Sequence, residues 1–192
     1  MRIEEIIHNK TDFMDILLIG DEDEAMIYKY LNQSNLFVLY HINILTSICA
    51  VVSLDNNTIE IKNLATYPQY QNNGYASRLL DFICNKYKEN FKTLTLGTGD
   101  NEKTLNFYKK RGFVKTHTIK NFFIDNYSHP IFENGKFVYE KLSVKEIRDY
   151  SMKEKARLWD EIFRLEFPHN YYVDLTKSLL DFKIKMLEEK RK

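Results

Sequence analysis

The spacing of apolar residues changes rhythm several times along the chain, and each change predicts a new element. Phe13, Ile16 and Leu17 within Asp12 to Ile19, and Met26, Ile27 and Tyr30 within Glu22 to Leu31, recur at helical spacing. Two β-rich runs follow, Leu36 to Tyr40 and Thr46 to Val52, with His41-Ile42-Asn43 as a hairpin tip between them. Asp55-Asn56-Asn57 then turns the chain into a strand with alternating character, Thr58 to Thr66. From Tyr75 to Tyr87 the rhythm is helical again, with Leu79, Leu80, Phe82 and Ile83 on a broad apolar face suited to packing on a sheet. A strand at Lys92 to Leu96, a short helix after Asp100 and a strand from Lys136 to Leu142 complete the order: helix, helix, three strands, helix, strand, helix, strand. That order predicts an α/β domain.

The passage from strand to helix at Thr66 to Leu80 carries the most chemistry. A polar, glycine-bearing turn, Gln71-Asn72-Asn73-Gly74-Tyr75-Ala76-Ser77, opens the helix. The first turn of a helix leaves N–H groups without intrahelical partners, and their dipoles sum to a partial positive charge, so a phosphate satisfies both deficits. Gly74 and Ala76 allow close backbone approach, Gly74 tolerates a positive φ, and Asn72 and Asn73 suit the same turn conformations. The spacing matches neither the dinucleotide nor the nucleoside-triphosphate loop. A second turn, after Gly97-Thr98-Gly99, opens a helix with both ends signalled. Asp100 or Asn101 caps it, Lys109, Lys110 and Arg111 complement its C-terminal dipole, and Gly112 supplies a left-handed stop.

Together these segments resemble the GNAT family of N-acetyltransferases. Gln71-x-x-Gly74-x-Ala76 following Thr66-x-Pro68 is similar to the family's acyl-CoA motif, with Thr66 in a valine position and Ala76 in a glycine position. Asn101-x-x-Thr104-Leu105-x-Phe107-Tyr108-x-x-x-Gly112-Phe113 resembles its second motif. The resemblance implies acetyl-CoA as co-substrate, no metal, and a central mixed, mostly antiparallel sheet flanked by helices. That sheet splays between the family's fourth and fifth strands, here the Glu60 strand and the Lys92–Leu96 strand. It implies CoA contacts from Leu64, Ala65, Thr66, the turn from Gln71 to Ser77, Asn101 and Thr104. Tyr108 would return a proton to the thiolate, and Asn101 would bond the pantetheine arm, cap the helix, or do both.

An ammonium has no lone pair with which to attack a thioester, so the acceptor amine needs a base. Glu60 stands where histone-acetylating relatives carry a glutamate, in a similar E-I-x-x-x-A segment. Strict alternation places it on one face with Lys62 and Leu64, with Ile59 and Ile61 on the other. Lys62 would pair with Glu60 and weaken it as a base, so catalytic base and structural ion pair both stay open. A narrower likeness, to a bacterial subgroup with an F-F-x-x-x-Y loop and an I-F-E-N-G turn, covers Phe122 to Tyr127 and Ile131 to Gly135. Tyr127, His129 and Glu133 would line the acceptor mouth there. The plain alternative is a packed aromatic loop closed by an Asn-Gly turn, and this is preferred for His129.

The resemblance spans residues 1–142. For 143–192, a capping box at Ser143-Val144-Lys145-Glu146 and apolar stripes around Trp159 and from Leu175 to Glu189 predict an appended helical extension. It would pack on the core, form a homodimer surface or cap the acceptor site. At 192 residues and 44% hydrophobic content the chain has enough apolar surface for one domain with an appendage. A net charge of +1 from 28 basic and 27 acidic residues argues against a general attraction to nucleic acid or to an anionic membrane. Cys49 and Cys84 form no C-x-x-C pair, the five histidines show no metal spacing, and no run approaches membrane-span length, so a cytoplasmic location is expected. The expected activity is transfer of acetyl from acetyl-CoA to a small-molecule or peptide amine in a ternary complex. The alternatives are a non-catalytic acyl-CoA-binding or sensing protein and an interaction protein acting through its C-terminal helices.

Overall fold

The computed structural model describes residues 1–133, 136–138 and 140–146. The predicted stripes around Trp159 and from Leu175 to Glu189, and the Asn134-Gly135 turn, lie outside the described residues. The chain divides into two compact units, Met1–Leu96 and Gly97–Lys192.

The first unit starts with a strand, β1 (Arg2–Ile6), that the sequence pattern did not reveal. Its two isoleucines among charges read as polar chain, but as an edge strand it needs only the β2 ladder on one side, from Arg2↔Tyr40 to Ile6↔Leu36. A 3-10 turn (Lys10–Phe13) leads into α1 (Met14–Gly20), and α2 (Glu24–Leu31) follows, capped by Asp23 through the N–H groups of Ala25 and Met26. β2 (Asn35–His41) and β3 (Ile44–Ser53) form the expected hairpin, with Ile42 and Asn43 at positive φ in its tip. β4 (Thr58–Thr66) pairs antiparallel with β3, α3 runs from Tyr75 to Tyr87, and β5 (Thr93–Thr98) lies parallel to β4. Within this unit the strands stand in the order β1-β2-β3-β4-β5, a mixed and mostly antiparallel sheet.

Both faces of that sheet are covered, so β2 and β3 read as continuous apolar runs. Leu36, Val38, Ile48, Ala50, Val52 and Ala65 pack with Ile16, Leu17, Ile27 and Leu31 of α1 and α2. On the opposite face the Phe37 ring meets Phe82 and Tyr87 of α3 edge-on, at centroid distances of 5.6 and 6.3 Å. α1 ends at Gly20 hard against β4: a Cβ there would collide with the Asn63 side chain. Asn63, itself buried, donates to the Leu17 carbonyl at 2.8 Å and to the Tyr30 hydroxyl at 3.1 Å, tying both helices to the strand.

The second unit contains α4 (Glu102–Lys109), β6 (Phe113–Ile119), α5 (Phe122–Asn126), a hairpin of β7 (Ile131–Glu133) with β8 (Lys136–Val138), and β9 (Lys141–Glu146). Three expectations change here, the first being that the strand expected from Lys136 to Leu142 is instead β8 and the start of β9. The F-F-x-x-x-Y segment is a short helix, held by the Asn126 amide on the Phe122 carbonyl at 2.8 Å. Ser143 to Glu146 is no capping box but the second half of β9, paired with β6 from Phe113↔Glu146 to Ile119↔Lys141. A long-range ladder has overridden a local helix-start pattern, and the strand runs past residue 142.

Candidate functional site

In the first unit, β4 carries a bulge. Its register with β3 passes from Val51↔Ile61 to Ala50↔Asn63, leaving Lys62 without a cross-strand partner. The extra residue resets the alternation expected from sequence. Glu60 lies opposite Val52 and Asn63 opposite Ala50, both on the α1 and α2 face, whereas Leu64 moves to the other face opposite Cys49. Glu60 is buried and forms an ion pair with Lys62.

The bulge also lies next to the last rung of the β4–β5 ladder. The β4–β5 ladder holds from Thr58↔Thr93 to Ile61↔Leu96, and β4 runs on from Lys62 to Thr66 beyond it. On the β3 side, the Tyr67 N–H donates to the Thr46 carbonyl at 3.1 Å. Successive amides of a strand point to opposite sides, so the N–H groups of Leu64 and Thr66 point away from β3. Thr66 is anchored by its hydroxyl, 2.7 Å from that of Ser47, and its carbonyl accepts from the Gln71 amide at 3.3 Å.

The turn into α3 begins with a 3-10 turn, Pro68–Tyr70, closed by the Tyr70 N–H on the Tyr67 carbonyl at 2.8 Å. Tyr67 in turn donates its hydroxyl to Asp15 of α1. Burial first, and the Asp15 carboxylate second, push the Tyr67 phenol up to about 12. The Asn73 side chain stitches the loop, donating to the carbonyls of Tyr70 and Gln71 at 3.2 and 3.0 Å. Asn72 and Gly74 both take left-handed backbone, φ 63° and 80°. Gly74 occupies the N-cap position of α3 with no side-chain cap, and the first α3 bond from that residue is Arg78 N–H to its carbonyl at 3.0 Å. The Gln71 N–H turns back to Pro68 at 3.3 Å, but among the described residues the N–H groups of 72–77 have no acceptor. A Cβ on Gly74 would meet nothing within 4 Å, so the space beside this residue is open. A diphosphate fits that donor set. Behind it, the buried Tyr75 ring packs against His41 and Tyr70 at 5.5 and 6.5 Å.

In the second unit, α4 starts differently. The Asn101 side chain accepts from the N–H groups of Lys103 and Thr104 at 3.0 and 3.4 Å, so the cap assigned from sequence is made. Thr104 is half-buried. Tyr108, 7% exposed, stands edge-on to Phe107 and Phe113 at 5.1 and 5.6 Å. Gly112 ends the turn at φ 80°, its N–H on the Lys109 carbonyl at 3.0 Å. Lys115 is half-buried; desolvation holds its ammonium below the usual lysine range, against the opposing charges of Asp100 and Glu140. Tyr127 is half-buried, 5.3 Å from the Phe123 ring and 6.3 Å from that of Phe122, while His129 is exposed beside Ser128. Glu133 closes β7 opposite Lys136.

Among the described residues no group of three or more His, Cys, Asp or Glu side chains is arranged to hold a metal, and no helix is long and apolar enough to cross a membrane.

Comparisons with known proteins bring in two families. A GNAT family acetyltransferase from Elizabethkingia anophelis, solved with acetyl-CoA bound, is 32% identical and superposes with a TM-score of 0.73, covering 77% of this chain and 97% of that one. YvbK of Bacillus subtilis (strain 168), described as an uncharacterized N-acetyltransferase, is 28% identical over 137 residues, 70% of this chain and 88% of that protein. A nicotinate phosphoribosyltransferase of the same organism is 29% identical over 84 residues, 41% of this chain but 17% of that protein. Residues 66–183 match the model described as the nicotinate phosphoribosyltransferase C-terminal domain, a likeness that continues well past residue 142. Residues 9–113 match the model of the acetyltransferase (GNAT) family. The chain belongs to the GNAT family of acetyltransferases and, over residues 66–183, also matches the family of the nicotinate phosphoribosyltransferase C-terminal domain.

Proposed function

We propose that this chain moves an acetyl group from acetyl-CoA to a primary amine by direct attack within a ternary complex. The observation that carries this reading is the open donor set at the start of α3, in a chain whose relative from Elizabethkingia anophelis was solved with acetyl-CoA bound. The amides of 72–77 take the CoA diphosphate, with Gln71, Ala76 and Ser77 in the same turn. The pantetheine arm runs along the β4 edge beyond Ile61, bonding the backbone of Leu64, Ala65 and Thr66, with Asn101 and Thr104 as further contacts.

Glu60, through a water, removes a proton from the acceptor ammonium. The neutral nitrogen attacks the thioester carbonyl carbon, and an outward N–H of Leu64 or Thr66 donates to the oxyanion. As the intermediate collapses the C–S bond breaks, Tyr108 gives its hydroxyl proton to the thiolate, and the phenolate recovers one from the acylated nitrogen. One proton leaves to solvent through Glu60. Tyr127 and Glu133 contact the acceptor. Neither cysteine serves as an acyl carrier: Cys49 is fully buried, and burial pushes its thiol strongly up.

The test is CoA-thiol release from acetyl-CoA across a panel of amines, with Tyr108→Phe beside the natural chain. Turnover is expected to fall about a hundredfold or more, the usual contribution of a positioned proton donor, with acetyl-CoA affinity little changed. Unaltered turnover with every accepted amine removes Tyr108 from the reaction. Acetyl-CoA binding without release from any amine makes the chain a binding protein instead.

A further inference from the structure

We infer that the acceptor carries a carboxylate near its amine, as an amino acid does, and that Lys62 binds that carboxylate in place of Glu60. This rests on the acetyl-transfer reading above and deepens it.

Three observations meet at Lys62. It is the extra residue of the β4 bulge, and bulges commonly re-aim a side chain that regular pleating would hold elsewhere. It pairs with Glu60, the residue assigned as base. The two flank Ile61, whose pairing with Leu96 is the last rung of the β4–β5 ladder, next to the outward amides assigned to the reacting carbonyl.

Burial makes the pairing consequential. The Glu60 side chain is 12% exposed and that of Lys62 28%, so water solvates neither fully, and drawing Glu60 away takes this carboxylate from the Lys62 ammonium. In the chain as it stands, Lys62 occupies the Glu60 carboxylate that an incoming ammonium would need. An acceptor bearing only a cation would have to draw Glu60 away, leave Lys62 unpaired and bring a second positive charge beside it. An acceptor bearing both charges exchanges partners instead: its carboxylate takes Lys62, its ammonium meets Glu60, and one ion pair within the chain is replaced by two with the acceptor. The exchange also orients the acceptor, since its two charged groups are fixed on two side chains of one strand.

The experiment measures CoA release by the full chain with each standard amino acid beside its own carboxamide, compared as kcat/KM for the neutral amine. The acid is expected to be preferred by about tenfold to a hundredfold, the size of one charge-assisted contact. Lys62→Met is expected to bring the two to near parity, and Lys62→Arg to keep most of the preference. Carboxamides used as well as acids, or a preference that survives Lys62→Met, overturn the inference without any variant needing to do more than fold. Release confined to amines without a carboxylate overturns it too, while leaving acetyl transfer standing. Release from no amine at all removes both.

Discussion

The two helices that carry the family's motifs begin in opposite ways. α4 is finished by its own chain, because Asn101 takes two of its orphan N–H groups. α3 begins at a left-handed glycine with no side-chain cap, and the amides of 72–77 are left without an acceptor among the described residues. Every helix start must satisfy its first donors somewhere. One of these ends does so internally and at once; the other leaves its donors open, as the proposed CoA site requires.

The most damaging way to test that contrast is Gly74→Val. It adds a Cβ beside the donors and forces a branched residue into a left-handed φ. CoA affinity by calorimetry is expected to fall at least about a hundredfold, with about 1–2 kcal/mol lost in chemical unfolding. Unchanged affinity would show that the open turn is not the diphosphate site. Next in size, CoA at about a hundred times its Kd should stabilise the fold by about 2.7 kcal/mol, while pantetheine, which lacks the diphosphate, should stabilise far less at the same concentration. Equal stabilisation by the two would remove the contrast altogether.

Smaller effects probe the self-capped end and the approach to the open one. Asn101→Ala should cost about 1 kcal/mol in urea unfolding without any ligand present, and Asn101→Asp should recover most of it. A null result would mean that α4 is no more dependent on its cap than α3. The smallest effect concerns Tyr67, which fixes the start of the α3 turn to α1. Its pKa is raised from 10.0 to about 12 in the folded chain, so its contribution to stability is complete below pH 10 and is lost as pH rises toward 12. Unfolding midpoints followed through that window should fall for the natural chain and fall less for Tyr67→Phe.

Features encoded by nearby residues were legible from sequence. The α3 boundaries, the left-handed Gly74 and Gly112, and the Asn101 cap are decided within a few positions, by a glycine, a short polar side chain and an apolar face. Features decided by pairing across the chain were not. Arg2–Ile6 is a strand because β2 offers an edge, with Arg2 lying over the Tyr40 ring at 5.0 Å. The bulge at Lys62 exists only in the register with β3, so alternation alone put Leu64 on the wrong face. Ser143 to Glu146 has the composition of a helix start and yet follows β6. The candidate site divides in the same way: its backbone donors and the Glu60–Lys62 pair could be anticipated, whereas the burial of Glu60 and the bulge at Lys62 needed the fold.

The meeting of Gly20 with Asn63 ties together two positions that sequence order keeps far apart. A larger residue at 20 becomes tolerable only once the asparagine has shrunk. A shrunken asparagine takes its donor from the Tyr30 hydroxyl and leaves the Leu17 carbonyl with the Asp21 N–H alone. Neither change is neutral by itself, so descendants of this chain should keep both residues or replace both.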